Sequence, residues 1–302
     1  MPSRSLSLPS LQGADVHLWL PPAPLTACVR AIVSRNTLGH ALTEEQRFSH
    51  YPVTPMCSIS WIIQGDAQRV ATGCSAAIES PRTSLDARII FNGPQTTPTI
   101  AYNSGPVHRL MLMLWPDALL ALTGLEAKNF VNDFVPFDTA FNAEWQAWCR
   151  DVLHAADDMQ RVGLIEDFLT PQWQSARPAS SWHGHRIQDW TRNVSSRAAT
   201  SGLGRSLRQA ERRVKQWTGQ PMRELHTLSR AEQAFFQSIA AHEKSIGPQQ
   251  IPWAHIADDT GFSDQSHLCR ETRRMTGFSP EELRHRIATD ECLWMYRAWL
   301  NV

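Results

Sequence analysis

Two arginine-rich segments carry the same kind of chemistry at matching positions. The first is Ser206-Leu-Arg-Gln-Ala-Glu-Arg-Arg-Val-Lys-Gln-Trp-Thr-Gly219, followed by Pro221; the second is Asp264-Gln-Ser-His-Leu-Cys-Arg-Glu-Thr-Arg-Arg-Met-Thr-Gly277, followed by Pro280. Arg212 aligns with Arg270, and Thr218-Gly219 with Thr276-Gly277, at a spacing of 58. A guanidinium presents its donors as a planar fork that fits phosphate oxygens or the edge of guanine, while amides and hydroxyls pair with adenine or less specific acceptors. Arg208, Gln209, Gln265, Ser266 and His267, all early in their segments, are the candidates for hydrogen bonds to base edges. Arg205, Arg212, Arg213, Lys215, Arg270, Arg273 and Arg274 are candidates for phosphate contacts or structural roles.

Such residues act together only if a helix holds them on one face. Each segment reads as an amphipathic helix that stops at a glycine, which takes the left-handed conformation without a Cβ penalty. A proline then opens the next helix. In the second copy Ser279 is a candidate N-cap, with Pro280 at the first helical position and Glu282 at the third. Leu268 and Met275, seven apart, can point inward together. Upstream, Gly261 ends one helix, Ser263 is placed to cap the next, and small Ala257 allows two helices to approach closely. That is helix, tight turn, helix. The counterpart before the first copy, Ala198-Ala199 with Gly202 and Gly204, is weaker.

The remainder must position these helices. With 302 residues, 42% of them hydrophobic, the chain is long enough for about two domains. Lysine plus arginine and aspartate plus glutamate are both 29, which excludes a strongly basic coat or an acidic tail. The balance is uneven: residues 1–180 hold 12 basic and 16 acidic residues, and residues 181–302 hold 17 and 13. Lys215 and Lys244 are the only lysines of the basic half. The first 25 residues, with five prolines, read as extended and irregular. Leu25–Leu38 reads as a short helix. Short strands are predicted within Phe48–Ile63, Ala87–Phe91, Thr99–Tyr102 and Val107–Trp115, separated by glycine and proline turns, which favours an antiparallel sheet or small barrel. Helices follow at Asp117–Leu122 and Asn142–Leu153, and Pro171–Trp182 reads as the boundary between halves.

The run Gly261-Phe-Ser-Asp-Gln-Ser-His-Leu-Cys-Arg270 with Thr276-Gly277-Phe-Ser-Pro280 closely resembles the second helix-turn-helix signature of the AraC/XylS family of bacterial transcription regulators, and Ser206–Val214 with Thr218–Pro221 resembles its first recognition helix. The resemblance covers roughly residues 190–288. It implies two helix-turn-helix subdomains joined by a linker helix, with both recognition helices entering successive major grooves. Arg208, Gln209, Gln265, Ser266 and His267 match base-reading positions, and Arg212 and Arg270 a basic position assigned to structure or backbone contact. The chain departs from the pattern at Val214 and Thr272, where a phenylalanine is usual, at the acidic Glu271, and at the longer linker containing Gly247–Pro252. Thr272 is expected to bury a hydroxyl that needs a partner. More loosely, His50-Tyr-Pro52, Phe91–Pro94 and Gly105–His108 resemble the sensory half of part of this family, a cupin-like small barrel that binds a small molecule or mediates dimerisation.

The expected fold is therefore α+β: an N-terminal cupin-like barrel with helices over residues 1–180, including a helical segment near 117–170, and an all-α DNA-binding domain over 181–302. Within the latter the first helix-turn-helix spans about 190–222, the linker helix about 222–241 and the second motif about 251–287. The expected function is a cytoplasmic, sequence-specific transcription regulator whose partner is double-stranded DNA. A small-molecule effector, a homodimer through the N-terminal half and RNA polymerase are the further candidate partners. An interaction module with weakened DNA binding, or an enzyme using the barrel, is the alternative. No cofactor and no metal site is expected: the six cysteines lack ligand spacing, and His183-Gly184-His185 has no third partner at a convincing distance. Ser, His and Asp occur only as scattered residues, so no enzyme is expected. Trp19, Trp61 and Trp115 are candidates for an aromatic ligand pocket, and Trp145 and Trp148 for a dimer interface.

Overall fold

The computed structural model describes residues 4–8, 14–178, 184, 186–201, 206–244 and 253–300. Arg205, His183, His185, the turn at 202–204, the insertion at 247–252 and the expected domain junction at 180 lie outside the described residues. The N-terminal half consists of strands β1 (Arg4–Leu8), β2 (Asp15–Leu20), β3 (Val29–Asn36), β4 (Phe48–Tyr51), β5 (Cys57–Gln64), β6 (Gln68–Val70), β7 (Arg82–Ser84), β8 (Ile89–Asn92), β9 (Thr99–Tyr102), β10 (His108–Leu114) and β11 (Phe134–Pro136). They pair antiparallel in two sheets, ordered β1-β2-β3-β10-β5-β8-β11 and β4-β9-β6-β7. Helices α1 (Pro116–Thr123), α2 (Ala143–His154) and α3 (Asp158–Ala176) complete this half.

Strand alternation decides which residues face which layer. On β5, Ser58, Ser60 and Ile62 line the space between the sheets, as do Arg109, Met111 and Met113 on β10. Their neighbours Ile59, Trp61, Leu110 and Leu112 are buried on the opposite face. There Trp61 meets Trp148 of α2 edge-on at 5.9 Å, and its indole donates to the Cys149 carbonyl at 3.0 Å.

The tryptophans proposed from sequence are accordingly core residues. Trp19, Trp61 and Trp115 line neither the cavity inside the barrel nor the cavity between the halves. Trp115 donates to the Thr26 carbonyl at 3.1 Å and stacks on Trp190 with ring centroids 5.0 Å apart. Trp145 and Trp148 are buried against Phe168 and each other, so they present no open face to a second copy.

Two further expectations are corrected. Leu25–Leu38 is a short 3-10 turn followed by β3, not a helix. Lying between β2 and β10, β3 is buried on both faces, with Arg30, Ser34 and Arg35 buried beside its apolar residues, so it lacks the alternation that marks a half-buried strand. Pro171, taken as the start of the boundary, sits inside α3. Leu169 and Trp173 on either side of it are buried, and that packing outweighs the backbone bond which proline removes.

The C-terminal half is helical: α4 (Ile187–Thr200), α5 (Leu207–Thr218), α6 (Met222–Lys244), α7 (Trp253–Asp259), α8 (Gln265–Thr276), α9 (Pro280–Thr289) and α10 (Trp294–Trp299). Trp190, Val194, Ala198, Ala210 and Val214 of α4 and α5 join Trp115, Ala118 and Leu119 in one hydrophobic cluster that runs from Ala14 to Ala298. α7 and α8 have a smaller cluster with α6, made of Ala234, Ile256, Ala257, Phe262 and Leu268.

Candidate nucleic-acid interface

The duplicated segments become α5 and α8, and each repeat residue has an identifiable local task. Ser206 caps α5 by accepting from the Gln209 amide, and Asp264 caps α8 by accepting from His267 at 2.7 Å. The cap of α8 is thus Asp264 and not Ser263, whose side chain instead bonds to Asp264 and the His267 ring. At the other end Thr218 donates to the Val214 carbonyl at 2.8 Å and accepts from the Gln220 amide at 3.3 Å. Thr276 repeats this with the Thr272 carbonyl at 2.7 Å and the Phe278 amide at 3.1 Å. Gly219 and Gly277 follow with φ of 75° and 85°. The Thr-Gly pair is therefore a helix stop: the hydroxyl serves orphan backbone groups of the last turn while glycine takes the left-handed turn. Ser279 caps α9 through the Glu282 amide, with Pro280 in its first turn.

Exposure separates the sequence-proposed readers. Arg208 and Gln209 are exposed in the first turn of α5, and Gln265 and Ser266 are exposed in the first turn of α8. His267 is half-buried, edge-on to Phe262 at 5.3 Å and hydrogen-bonded to Ser263, so its ring is held by the turn. Arg212, Lys215, Arg270 and Arg273 are exposed. Arg213 instead donates to the Ala198 carbonyl at 2.9 Å, joining α5 to α4 across the first turn. Arg274 bridges Glu271 at 2.9 Å and Glu224 of α6 at 3.0 Å, joining the second motif to the linker helix. Thr272 is half-buried and lines a cavity of about 110 Å³ bounded by α6, α8 and the Pro52–Thr54 segment.

Both helices are docked at their C-terminal ends on the N-terminal half. Gly219 sits against the backbone of Ala127 and Lys128, and Gln216 donates to Glu126 at 3.1 Å. On α8 the carbonyl of Met275 accepts from the Val53 amide at 2.8 Å, and Phe278 packs on His50 at 5.2 Å. Burial, with the nearby Arg286 charge, pushes the His50 pKa down to about 4 against an opposing effect of Asp290. Charged bonds tie the same seam. Asp117 accepts from the Trp190 indole at 2.8 Å and from Arg197 at 2.6 Å. Glu232 of α6 pairs with Arg30 and accepts from the Ile187 amide at 2.7 Å. Glu291 holds Arg35 of β3 at 3.2 Å and Arg297 of α10 at 2.7 Å.

Sequence reading missed three things. The segment 291–299 is almost wholly buried at the barrel, where Trp294 donates to Ser49 at 2.9 Å. Its signal was present as an apolar run beyond the repeat. Arg109 lies among barrel-interior residues, detectable only as a charge in phase with Met111 and Met113. Finally, Ser34, His108 and Asp158 do come together. His108 Nε2 faces both Ser34 Oγ at 3.4 Å and Asp158 at 3.1 Å, and Ser34 itself donates to Asp158 at 2.5 Å. One ring nitrogen serves both partners, so the carboxylate does not orient the imidazole for a proton relay. The cluster secures the start of α3, with Arg161 donating to Asp158 at 2.9 Å. Burial disfavours the Asp158 carboxylate, but the bonds from His108, Ser34 and Arg161 prevail and bring its pKa down to about 2.

Residues 200–286 match the family model described as a helix-turn-helix domain, which is of the AraC type. No curated protein sequence matches the chain. Among solved structures, ToxT from Vibrio cholerae is similar at 14% identity, covering 78% of this chain and 92% of that one with a TM-score of 0.33. The AraC-like transcriptional activator CuxR matches at 13% identity over 99% and 90% of the two chains, with a TM-score of 0.32. Procruciferin, an 11S globulin from Brassica napus, matches at 15% identity over 38% and 30%, with a TM-score of 0.26. At scores this low the overlays define no shared arrangement.

Proposed function

We propose that this chain, whose residues 200–286 are a helix-turn-helix domain of the AraC type, is a sequence-specific DNA-binding transcription regulator. The observation that carries the reading is the pair of equivalent helices, each capped at its start, stopped by Thr-Gly and exposing polar side chains in its first turn. Arg208 and Gln209 on α5, with Gln265 and Ser266 on α8, read base edges in the major groove; His267 supports the turn and adds at most one contact. Arg212, Lys215, Arg270 and Arg273 meet phosphates, whereas Arg213 and Arg274 hold the motifs together. The N-terminal half, joined to both helices by the seam, receives the signal, in the form of a small molecule or a second copy. No helix is long and apolar enough to cross a membrane among the described residues, in keeping with a cytoplasmic regulator.

The test is binding of duplex fragments from the DNA upstream of the protein's own coding sequence, titrated with salt. Four phosphate contacts predict a log–log slope of roughly −3 to −4, with affinity falling steeply from low to moderate salt. Flat or undetectable binding would instead favour an interaction module that has kept the scaffold.

A further inference from the structure

Arg208, Glu211, Arg212 and Lys215 stand at helical spacing on α5 and are all exposed, away from the buried stripe of Ala210, Val214 and Thr218. Three of the four are cations, which suit a polyanion. Glu211 is the only carboxylate of α5. Arg208, three positions before it, and Lys215, four after it, are at the spacings that form ion pairs along a helix, and Arg212 adjoins it. Even so, among the described residues the Glu211 carboxylate has no ion pair and no hydrogen bond. The two carboxylates at α8 are both engaged: Asp264 caps the helix and Glu271 pairs with Arg274. At the position equivalent to Glu211, 58 residues on, α8 has the half-buried Cys269. An unpaired carboxylate on the face that meets DNA repels phosphate whatever the sequence, because the duplex carries one negative charge per roughly 1.7 Å. It is compensated only where a base edge supplies a hydrogen-bond donor. In the major groove cytosine presents its N4 amine with no acceptor on its own edge. Adenine sets its N6 amine beside the N7 acceptor, which repels a carboxylate, and guanine and thymine present acceptors.

We propose that Glu211 reads cytosine: its carboxylate accepts a hydrogen bond from a cytosine N4 amine in the half-site bound by α5, while Arg212 and Lys215 on the same stripe meet the flanking phosphates. The inference rests on the regulator reading and deepens it. Glu211 lies in the N-terminal part of α5, the part that reaches base edges when a recognition helix enters the groove. The charge also works by exclusion. A wrong base leaves the carboxylate desolvated without a donor, so Glu211 penalises other sequences as well as rewarding the right one. The two half-sites are therefore read unequally, and this cytosine belongs to the α5 half alone.

The test selects sites for the full chain from a random duplex pool, then measures binding to the selected site with each base pair in turn at every position. One position is expected to require cytosine, by roughly tenfold over the other bases. Glu211→Ala is expected to lose that preference and, at the same time, to bind sites carrying another base there more tightly than the unchanged chain does. Glu211→Gln, which puts an amide in the same place, is expected to move the preference toward adenine. Neither variant should shift the unfolding midpoint, since the side chain is exposed. A cytosine preference that survives Glu211→Ala overturns the proposal, and so does a variant that weakens all sequences alike, as a purely structural role would. A chain that enriches no duplex overturns the regulator reading and this inference together. An enriched site whose base preferences are unchanged by Glu211→Ala removes this inference alone.

Discussion

The two helix-turn-helix units are copies in sequence but not in how they are held. The first packs α4 and α5 into the main core, where Trp190 stacks on Trp115 and satisfies Asp117. The second has a small core around Phe262 and Leu268 at its α7–α8 turn, while Met275 enters the main core and Phe278, Leu283 and Ile287 pack with Phe48 and Tyr102 of the barrel. The difference teaches that equal motifs can have unequal freedom. The first is packed into the main core, whereas the α7–α8 turn of the second rests on a small cluster, so local opening is expected there first.

The largest expected effect comes from breaking the first attachment. Trp190→Ala should cost about 3–5 kcal/mol, because it empties a core site and leaves the buried Asp117 short of a donor. Urea unfolding should show the loss in the single transition of the whole chain. Phe262→Ala, of similar chemistry, should instead raise amide exchange mainly within α7 and α8; equal protection loss in both motifs would refute the contrast.

The second attachment should be pH-sensitive. Folded His50 takes its proton only near pH 4, against 6.5 for the ordinary side chain. The folded state therefore binds fewer protons across that window, so stability is full above pH 6.5 and falls as pH drops toward 4, by roughly 3 kcal/mol in all. Unfolding midpoints at pH 7 and pH 5 measure this slope, and His50→Phe should flatten it.

The paired glycines sharpen the comparison. A Cβ on Gly219 would lie 3.1 Å from the Lys128 amide nitrogen, whereas one on Gly277 meets nothing within 4 Å. Both alanine variants bear the left-handed penalty of about 1–2 kcal/mol. Gly219→Ala should cost an additional 1–3 kcal/mol for crowding against backbone, read as the difference between the two thermal midpoints.

Smaller effects belong to the exposed faces. Gln209→Ala and Gln265→Ala should each relax discrimination at one base pair by about 1–3 kcal/mol, seen by selecting sites from a random duplex pool. Lys215→Ala should weaken all duplexes alike and reduce the salt slope by about 1.

Much of this was legible in the residues because it is local. A helix that starts at a side-chain cap and stops at Thr-Gly is determined by neighbours within four positions, so α5, α8 and α9 could be read directly. Leu25–Leu38 could not, since a central strand buried on both faces carries no period to distinguish it from a helix. Arg213 and Arg274 look like Arg212 and Arg273 in sequence, yet the Ala198 carbonyl and Glu224 claim the first pair, while among the described residues the second pair stays exposed without such a tie.

By itself, then, the sequence determined the α+β order, the duplicated capped helices, and the polar character of their first turns. Only the tertiary structure decided which tryptophans are core and which arginines remain exposed. The reason is physical: caps and helix stops are set by contacts a few residues apart, whereas burial and charge pairing depend on groups brought together across 50 residues or more, as Glu224 and Arg274 are.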